Sequence, residues 1–413
     1  MKTLKKPYES AKSVFEKFIL LYGDNSRKQQ ERYVKIFNEF KSIFNVKNAY
    51  FISSSGRAEI IGNHTDHNGG KVIACSISLD TVSAFLPRED NKIKLVSQGY
   101  PIIELDVGDN EVYEKGSSKA LVKGVIEGLK NYGYKIGGFN AYVESDVVEG
   151  VGISSSASFE LLVCEILNFL YNDGVVSPEE RAKICQFAES EYFGKPCGLL
   201  DQTAISFGGL NLLDFEKDNI QVKKIEDDLK DYALVLINTG GSHADLTDEY
   251  AAVRTEMKEV ASFFGVERLI EISKDDFFNG LPKMKNISDR AILRAIHFFE
   301  ENERVLLAEE SLRKKDYSTF LSCINKSGIS SIVNLQNCHV NGSLNEPIIR
   351  SLSVCKNFNK EGANRVHGGG FAGSIINFVK KENLSVFLSA IEKIFSKESV
   401  VSFIIRNEGI LVL

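Results

Sequence analysis

No apolar run in the 413 residues approaches the ~18 needed for a membrane-spanning helix. Paired cysteines are also missing. The seven cysteines are scattered, odd in number and without a Cys-x-x-Cys pair, which excludes a disulfide framework or zinc ribbon and reads as reduced thiols. A large excess of either charge is absent, with 50 Lys and Arg against 56 Asp and Glu. A net charge of −6 gives no general attraction for nucleic acid, and a polyanionic partner would need a local basic patch. The N-terminal "MKTLKKPYESAKSVFEKF" is basic, but Glu9, Lys12 and Glu16 interrupt its apolar residues. It is no secretory signal, and a cytoplasmic location is expected. Internal repeats and low-complexity linkers are absent. So are G-x-x-x-x-G-K-[ST], H-R-D and D-F-G, which removes the P-loop and protein-kinase routes to phosphate chemistry.

What remains is a globular composition, 43% hydrophobic and 26% charged, long enough for two domains. Tyr33, Ile36, Phe37, Phe40, Ile43 and Phe44 recur at helical spacing and predict one buried stripe. From Ala49 to about Val107 the pattern turns strand-like. Residues 118–132 read as a helix, and "FNAYVESDVV" as a strand running into a Gly/Ser turn at 150–156. Phe159, Leu162, Val163, Ile166 and Leu170 then mark an apolar helix. Ser177-Pro178-Glu179-Glu180 is a capping box opening a helix that should reach Glu189. Further strands and helices follow without steady β-α alternation, which favours an α+β fold over a doubly wound sheet. A boundary is placed near residue 215, giving domains 1–215 and 216–413.

Four segments concentrate chemistry. "GRAEIIGNHTDHNGG" (residues 56–70) packs Arg57, Asn63, His64, Asp66, His67 and Asn68 between glycines, more hydrogen-bonding groups than a solvated loop requires. "EGVGISSSASFE" (149–160) joins a strand to a helix. Its glycines allow tight curvature, its serines add hydroxyls, and free amides at the helix start attract anions. A turn of this kind is often only a turn. "AESEYFGKPCGLLDQ" (188–202) supplies Glu189 and Asp201, which alone would read as a solvated helix residue and a helix cap. "NRVHGGGFAG" (364–373) holds three consecutive glycines, which cost backbone entropy and suggest close approach to a ligand or a sharp turn. His367 beside them would by itself be read as structural, and Tyr250 in "LTDEYAAVR" as an ordinary helix residue.

Together these segments resemble the galactokinases of the GHMP kinase superfamily. "GRAEIIGNHTDHNGG" is similar to G-R-x-N-L-I-G-E-H-T-D-Y-N-x-G, "GVGISSSAS" to G-x-G-L-S-S-S-A-S, and "ESEYFGKPCGLLDQ" to E-x-x-F-x-G-x-P-C-G-I-M-D-Q. "DEYAAVR" and "VHGGGFAGS" resemble S-E-Y-x-x-R-R and T-G-G-G-F-G-G-C. Five motifs in family order, at near-family spacing, are not an accident. The resemblance implies a two-domain α+β kinase, with an S5-like N-terminal domain, a ferredoxin-like C-terminal domain and the active site in the cleft. It implies ATP and Mg²⁺ as cofactors, a small-molecule sugar as substrate, no nucleic-acid or membrane partner, and a monomer. It further implies Asp201 as general base at the anomeric hydroxyl, with Arg57 holding Asp201 ionised and stabilising the transferred phosphoryl group. Gly150, Val151, Gly152, Ile153, Ser154, Ser155 and Ser156 would wrap the ATP phosphates, and Ser156 and Glu189 would hold Mg²⁺. Asn63, His64, Thr65, Asp66, Asp201 and Tyr250 would meet the sugar, Asp66 reading the C3 and C4 hydroxyls.

Departures from the pattern are Asn63 for a Glu expected near the C6 hydroxyl, His67 for Tyr, Ser55 and Val148 for prolines, Ala372 for Gly, and His367 for Thr. Asn63 matters most, because an amide both donates and accepts where a carboxylate only accepts. D-Galactose is the expected substrate. The same chemistry on galacturonate, galactosamine or N-acetylgalactosamine is the alternative, followed by a non-catalytic galactose/ATP sensor. Retained Ala157, Ser158, Arg57, Glu189 and Asp201 argue against the sensor.

Overall fold

The computed structural model describes residues 6–413 except 149, 218, 228, 242–246, 340–342 and 372. Two sheets organise the chain. The first takes β1 (Tyr50–Ile61), β2 (Lys71–Pro87), β3 (Lys92–Ser97), β4 (Ile103–Asp106), β5 (Phe139–Ser145), β6 (Leu210–Asp214) and β7 (Gln221–Ile225). The second is built from β8 (Tyr232–Asn238), β9 (Ala363–His367), β10 (Ser374–Lys380) and β11 (Val400–Phe403) in the order β11-β8-β10-β9. The last strand, β12 (Ile410–Val412), returns to the first sheet and pairs with β1 through Ile52 and Val412. Strand order there is β12-β1-β2-β5-β3-β4, with β6 joining the far half of the long β2 and β7 extending it. Among the described strands only β3 and β5 pair in parallel, so the α+β expectation is met.

Helices α1 (Phe18–Tyr22) and α2 (Ser26–Phe44) pack on the first sheet. Tyr33, Ile36, Phe37 and Phe40 are buried as the stripe predicts, but Ile43 is 42% exposed. It lies in the last turn of α2, where Phe44 and not Ile43 packs against the core. Helices α3 (Ser118–Asn131), α4 (Ser155–Tyr171), α5 (Pro178–Phe187) and α6 (Leu200–Phe207) share a core with β3 and β5, filled by Leu121, Val125, Leu162, Val163 and Ile166. Ser177 closes the capping box of α5, its hydroxyl taking the Glu180 amide and its own amide donating to the Glu180 carboxylate. The helix ends at Phe187, and a wider π turn, Ala188–Phe193, carries Glu189.

The remaining helices are α7 (Thr247–Phe263), α8 (Lys274–Gly280), α9 (Asp289–Arg313), α10 (Tyr317–Ser330), α11 (Pro347–Phe358) and α12 (Leu384–Phe395). One hydrophobic cluster spans both sheets, joining Ala58 and Ile60 of β1 and Ile73 of β2 to Leu234, Leu236, Ile376 and Phe378. Burying apolar surface from both sheets in one core fixes β1 against β9 and β10, and therefore fixes the segments at their ends.

Candidate active site

Arg57 lies in β1, 8% exposed, because the strand is buried along its whole length. Its Nε donates to Asp201 Oδ1 at 2.7 Å, and its Nη1 donates to the Gly152 carbonyl. Asp201 sits in the first turn of α6 and keeps 30% of its side chain exposed, so it is anchored yet open on one side. Ser154 donates its hydroxyl to the other carboxylate oxygen, Oδ2. Burial raises the Asp201 carboxyl, but the Arg57 charge and the hydrogen bonds from Arg57 and Ser154 outweigh it and hold the group below its ordinary range. Asp201 is therefore ionised at neutral pH.

The Gly/Ser turn before α4 is welded to both sheets. The Arg57 amide donates to the Ile153 carbonyl at 3.2 Å, and Ser374 of β10 donates its hydroxyl to the Val151 carbonyl at 2.5 Å. Ser154 adopts φ of 63°, a left-handed conformation costly for a residue with a side chain and found where surrounding contacts over-determine it. This twist starts α4 at Ser155 and leaves its first amides without intrahelical acceptors. Val151 and Ile153 bury their side chains, leaving backbone and serine hydroxyls as the turn's polar face.

Glu189 is 1% exposed. Its Oε1 accepts from Ser156 Oγ at 2.8 Å and Lys195 Nζ at 2.9 Å, and its Oε2 accepts from Gln202 Nε2 at 2.8 Å. The Ser156–Glu189 pair expected from sequence is thus assembled. Beneath it lies Glu160, 0% exposed, whose carboxyl is pushed well above its ordinary range by burial and by the Glu189 charge. Glu160 is therefore neutral at neutral pH. Burial works against charge on Lys195, but the Glu189 carboxylate outweighs it and raises the ammonium above its ordinary range.

The signature loop after β1 is tied to the glycine turn after β9. Asn63 Nδ2 donates to the Gly368 carbonyl at 2.7 Å, and His64 Nε2 lies 2.9 Å from the Gly369 carbonyl. Tyr250 Oη donates to the Gly370 carbonyl at 2.7 Å. The three glycines thus bring bare carbonyls against three side chains, and a Cβ on Gly370 would stand 2.2 Å from the Asn337 carbonyl. A Cβ on Gly369 would stand 2.5 Å from the Tyr250 ring, and Gly368 takes φ of 67°, so close approach and left-handed backbone together account for the run. Ala372 lies outside the described residues.

Asp66 faces the acid segment: a Cβ on Gly198 would stand 3.1 Å from its Oδ2. Burial raises the Asp66 carboxyl, and His64 pulls it back only in part. Thr65 is 0% exposed, and its hydroxyl lies 2.9 Å from the Gly62 carbonyl and 2.8 Å from that of Lys71, which shapes the loop. Asn63 is likewise 1% exposed, with its second N–H donated to Glu59 Oε1 at 3.1 Å and its Oδ1 accepting from Asn337 Nδ2 at 2.7 Å.

Several supporting residues escaped the sequence reading. Arg365, 0% exposed, donates to Glu59 Oε1 at 2.8 Å and to the Ile60 carbonyl at 3.0 Å. Glu301 accepts the Gly62 amide at 3.1 Å, and His297 Nε2 meets the Asn63 carbonyl at 2.9 Å. Nothing local in α9 marks those two. Glu59 and Lys195 were visible, since Glu59 stands where the quoted signature has Asn and Lys195 fills an open position of the acid motif. His367 is buried and accepts the Glu59 amide at Nε2, 3.1 Å. Burial and the charges of Arg57 and Arg365 hold it well below its ordinary range, so it is neutral.

Comparison with known proteins agrees with the motifs. The galactokinase galactose-binding signature matches residues 38–87, and the GHMP kinases N-terminal domain matches residues 120–209. A galactokinase of Lactococcus lactis subsp. cremoris is 31% identical over 384 residues, covering 90% of this chain and 92% of its own. One from Clostridium tetani is 28% identical over 381 residues, covering 90% and 93%. The crystal structure of Lactococcus lactis galactokinase complexed with galactose superposes with a TM-score of 0.77 at 27% identity, covering 97% of this chain and 99% of that one. A mevalonate kinase with a TM-score of 0.63 at 17% identity, covering 87% of this chain and 99% of its own, shares the fold. The signature, the coverage and the assembled acid–arginine pair agree: this chain belongs to the galactokinase family.

Proposed function

We propose that this chain is an ATP-dependent sugar 1-kinase that phosphorylates the anomeric hydroxyl of D-galactose. The observation that carries the reading is Asp201, ionised, partly open, and held between Arg57 and Ser154 at the start of α4. A sugar hydroxyl is a weak nucleophile. Asp201 accepts its proton as the bond from the C1 oxygen to the γ-phosphorus forms and the bond to the β,γ-bridging oxygen breaks, releasing ADP. Arg57 keeps Asp201 charged and places a guanidinium beside the Gly152 carbonyl of the phosphate turn, where it offsets charge on the transferred group. Residues 150–156 meet the phosphates through the first amides of α4 and their hydroxyls.

Ser156 and Glu189 are hard oxygen donors 2.8 Å apart, which suits Mg²⁺. Among the described residues no group of three His, Cys, Asp or Glu could hold an ion, so phosphates and water would complete the shell of a cation arriving with ATP. When bound, Mg²⁺ supplies charge neutralisation on the phosphates. Tyr250, from α7, and His64 and Asp66, from the loop after β1, grip the sugar. Because both Asn63 N–H groups are donated within the protein, that amide has no donor left for a C6 carboxylate, and the galacturonate alternative loses its support.

The test is ADP release with Mg-ATP across galactose, talose, 2-deoxygalactose, galactosamine, N-acetylgalactosamine and galacturonate. Galactose is expected to turn over best, and Asp201→Asn to lower kcat by about 10²–10⁴-fold with an unchanged circular dichroism spectrum. A poor rate on galactose beside a good rate on another sugar would overturn the substrate assignment. Tight sugar and ATP binding without ADP release would restore the sensor reading.

A further inference from the structure

The signature quoted above has Asn at the position of residue 59 and Glu at that of residue 63, and this chain has Glu59 and Asn63. The two side chains touch: Asn63 Nδ2 donates to Glu59 Oε1 at 3.1 Å. Both are buried, and the same Glu59 oxygen accepts from the fully buried Arg365 at 2.8 Å. The Glu59 charge also bears on Arg57.

We infer that Glu59 and Asn63 are one exchanged pair, whose carboxylate is drawn off the sugar side and onto Arg365 so that the C6 end of the sugar meets a neutral, already committed amide. This rests on the galactose-kinase reading. The exchange conserves charge, and it moves the carboxylate across a single hydrogen bond, toward a guanidinium that would otherwise be a buried charge with less compensation. Asn63 Oδ1, already accepting from Asn337, has one lone pair left to accept a hydroxyl proton. The pair thus supports the loop that carries His64 and Asp66 while relaxing the demand for a C6 hydroxyl. Glu59 acts as a positioning residue through Arg365 and Asn63, and Asn63 sets specificity.

The exchange makes a double-mutant test possible. Glu59→Asn leaves Arg365 without its carboxylate. Asn63→Glu puts a second carboxylate within hydrogen-bond distance of Glu59 and removes the amide donors to Glu59 and the Gly368 carbonyl. Each single variant should lose about tenfold or more in kcat/KM for galactose and melt at a lower temperature. The double variant, Glu59→Asn with Asn63→Glu, should recover to within about threefold of the parent, because contacting residues couple. It should also prefer galactose over 6-deoxy-D-galactose more strongly than the parent does, since a site built to bind a hydroxyl rejects an analogue lacking it. A structural role alone would not move that ratio. Losses that simply add in the double variant, or a preference ratio unchanged by the exchange, would overturn the inference. If the parent phosphorylates neither sugar, the kinase reading fails instead. The four melting temperatures and calorimetric binding of the two sugars would then still decide whether the pair is coupled and sets C6 preference.

Discussion

His297→Gln isolates one ionisable group beneath the signature loop. His297 is 0% exposed, with Nε2 on the Asn63 carbonyl and Nδ1 on Ser330 Oγ at 2.9 Å each. The neutral ring meets both partners, donating from Nε2 and accepting at Nδ1. Burial lowers its pKa from 6.5 to about 4, the Glu301 carboxylate opposing this and the Arg304 and His64 charges adding to it. Because the folded value is depressed, the unfolded chain takes up this proton first as pH falls through 6.5. Stability from the neutral ring is whole above that pH and is lost progressively down to about 4. At 1.36 kcal/mol per pH unit the full span is worth about 3 kcal/mol, of which about 2 kcal/mol is lost between pH 7.5 and 5.0. Glutamine can donate and accept in the same place but carries no titrating proton. Urea unfolding of both proteins at pH 7.5, 6.0 and 5.0 should show the parent losing about 2 kcal/mol more than His297→Gln over that range. An imidazole titration followed by NMR reads the same pKa directly. Parallel pH dependences, or a ring titrating near 6.5, would refute the reasoning.

Arg57→Lys keeps a positive charge but cannot bond both Asp201 and the Gly152 carbonyl with a fixed fork. Its kcat should fall by about a hundredfold with KM for galactose little changed, and equal changes in both constants would contradict a role in the transition state. Lys195→Met removes the ammonium that shares Glu189 Oε1 with Ser156. Mn²⁺ titrated into the ADP complex and followed by electron paramagnetic resonance should then bind several-fold more tightly, whereas unchanged or weaker binding would show that Lys195 does not compete for that oxygen.

The elements were legible where local physics decides them. The stripe of α2, the Ser177 capping box and the strand-to-helix turn before α4 stand where periodicity, capping chemistry and the glycine–serine run put them. Ile43 misled because periodicity says which residues share a face but not which of them a neighbouring element covers. The bonds of the Thr65 hydroxyl to the loop's own carbonyls were not legible, because a motif lists residue types and not their partners.

The sequence by itself determined the chemistry on offer: the order of five motifs, the acids Glu189 and Asp201, the arginine and the run of glycines. These are residue types at spacings, and spacing survives without coordinates. Only the tertiary structure decided how the groups are paired. Residues 63 and 337, or 59 and 365, meet because β1, β9 and α10 share one packed interior, and a buried ion pair between distant positions leaves no local pattern to read. That is why Asn63 stands alone as a departure in the linear motif, and why it stands beside Glu59 as half of a pair once the chain is folded.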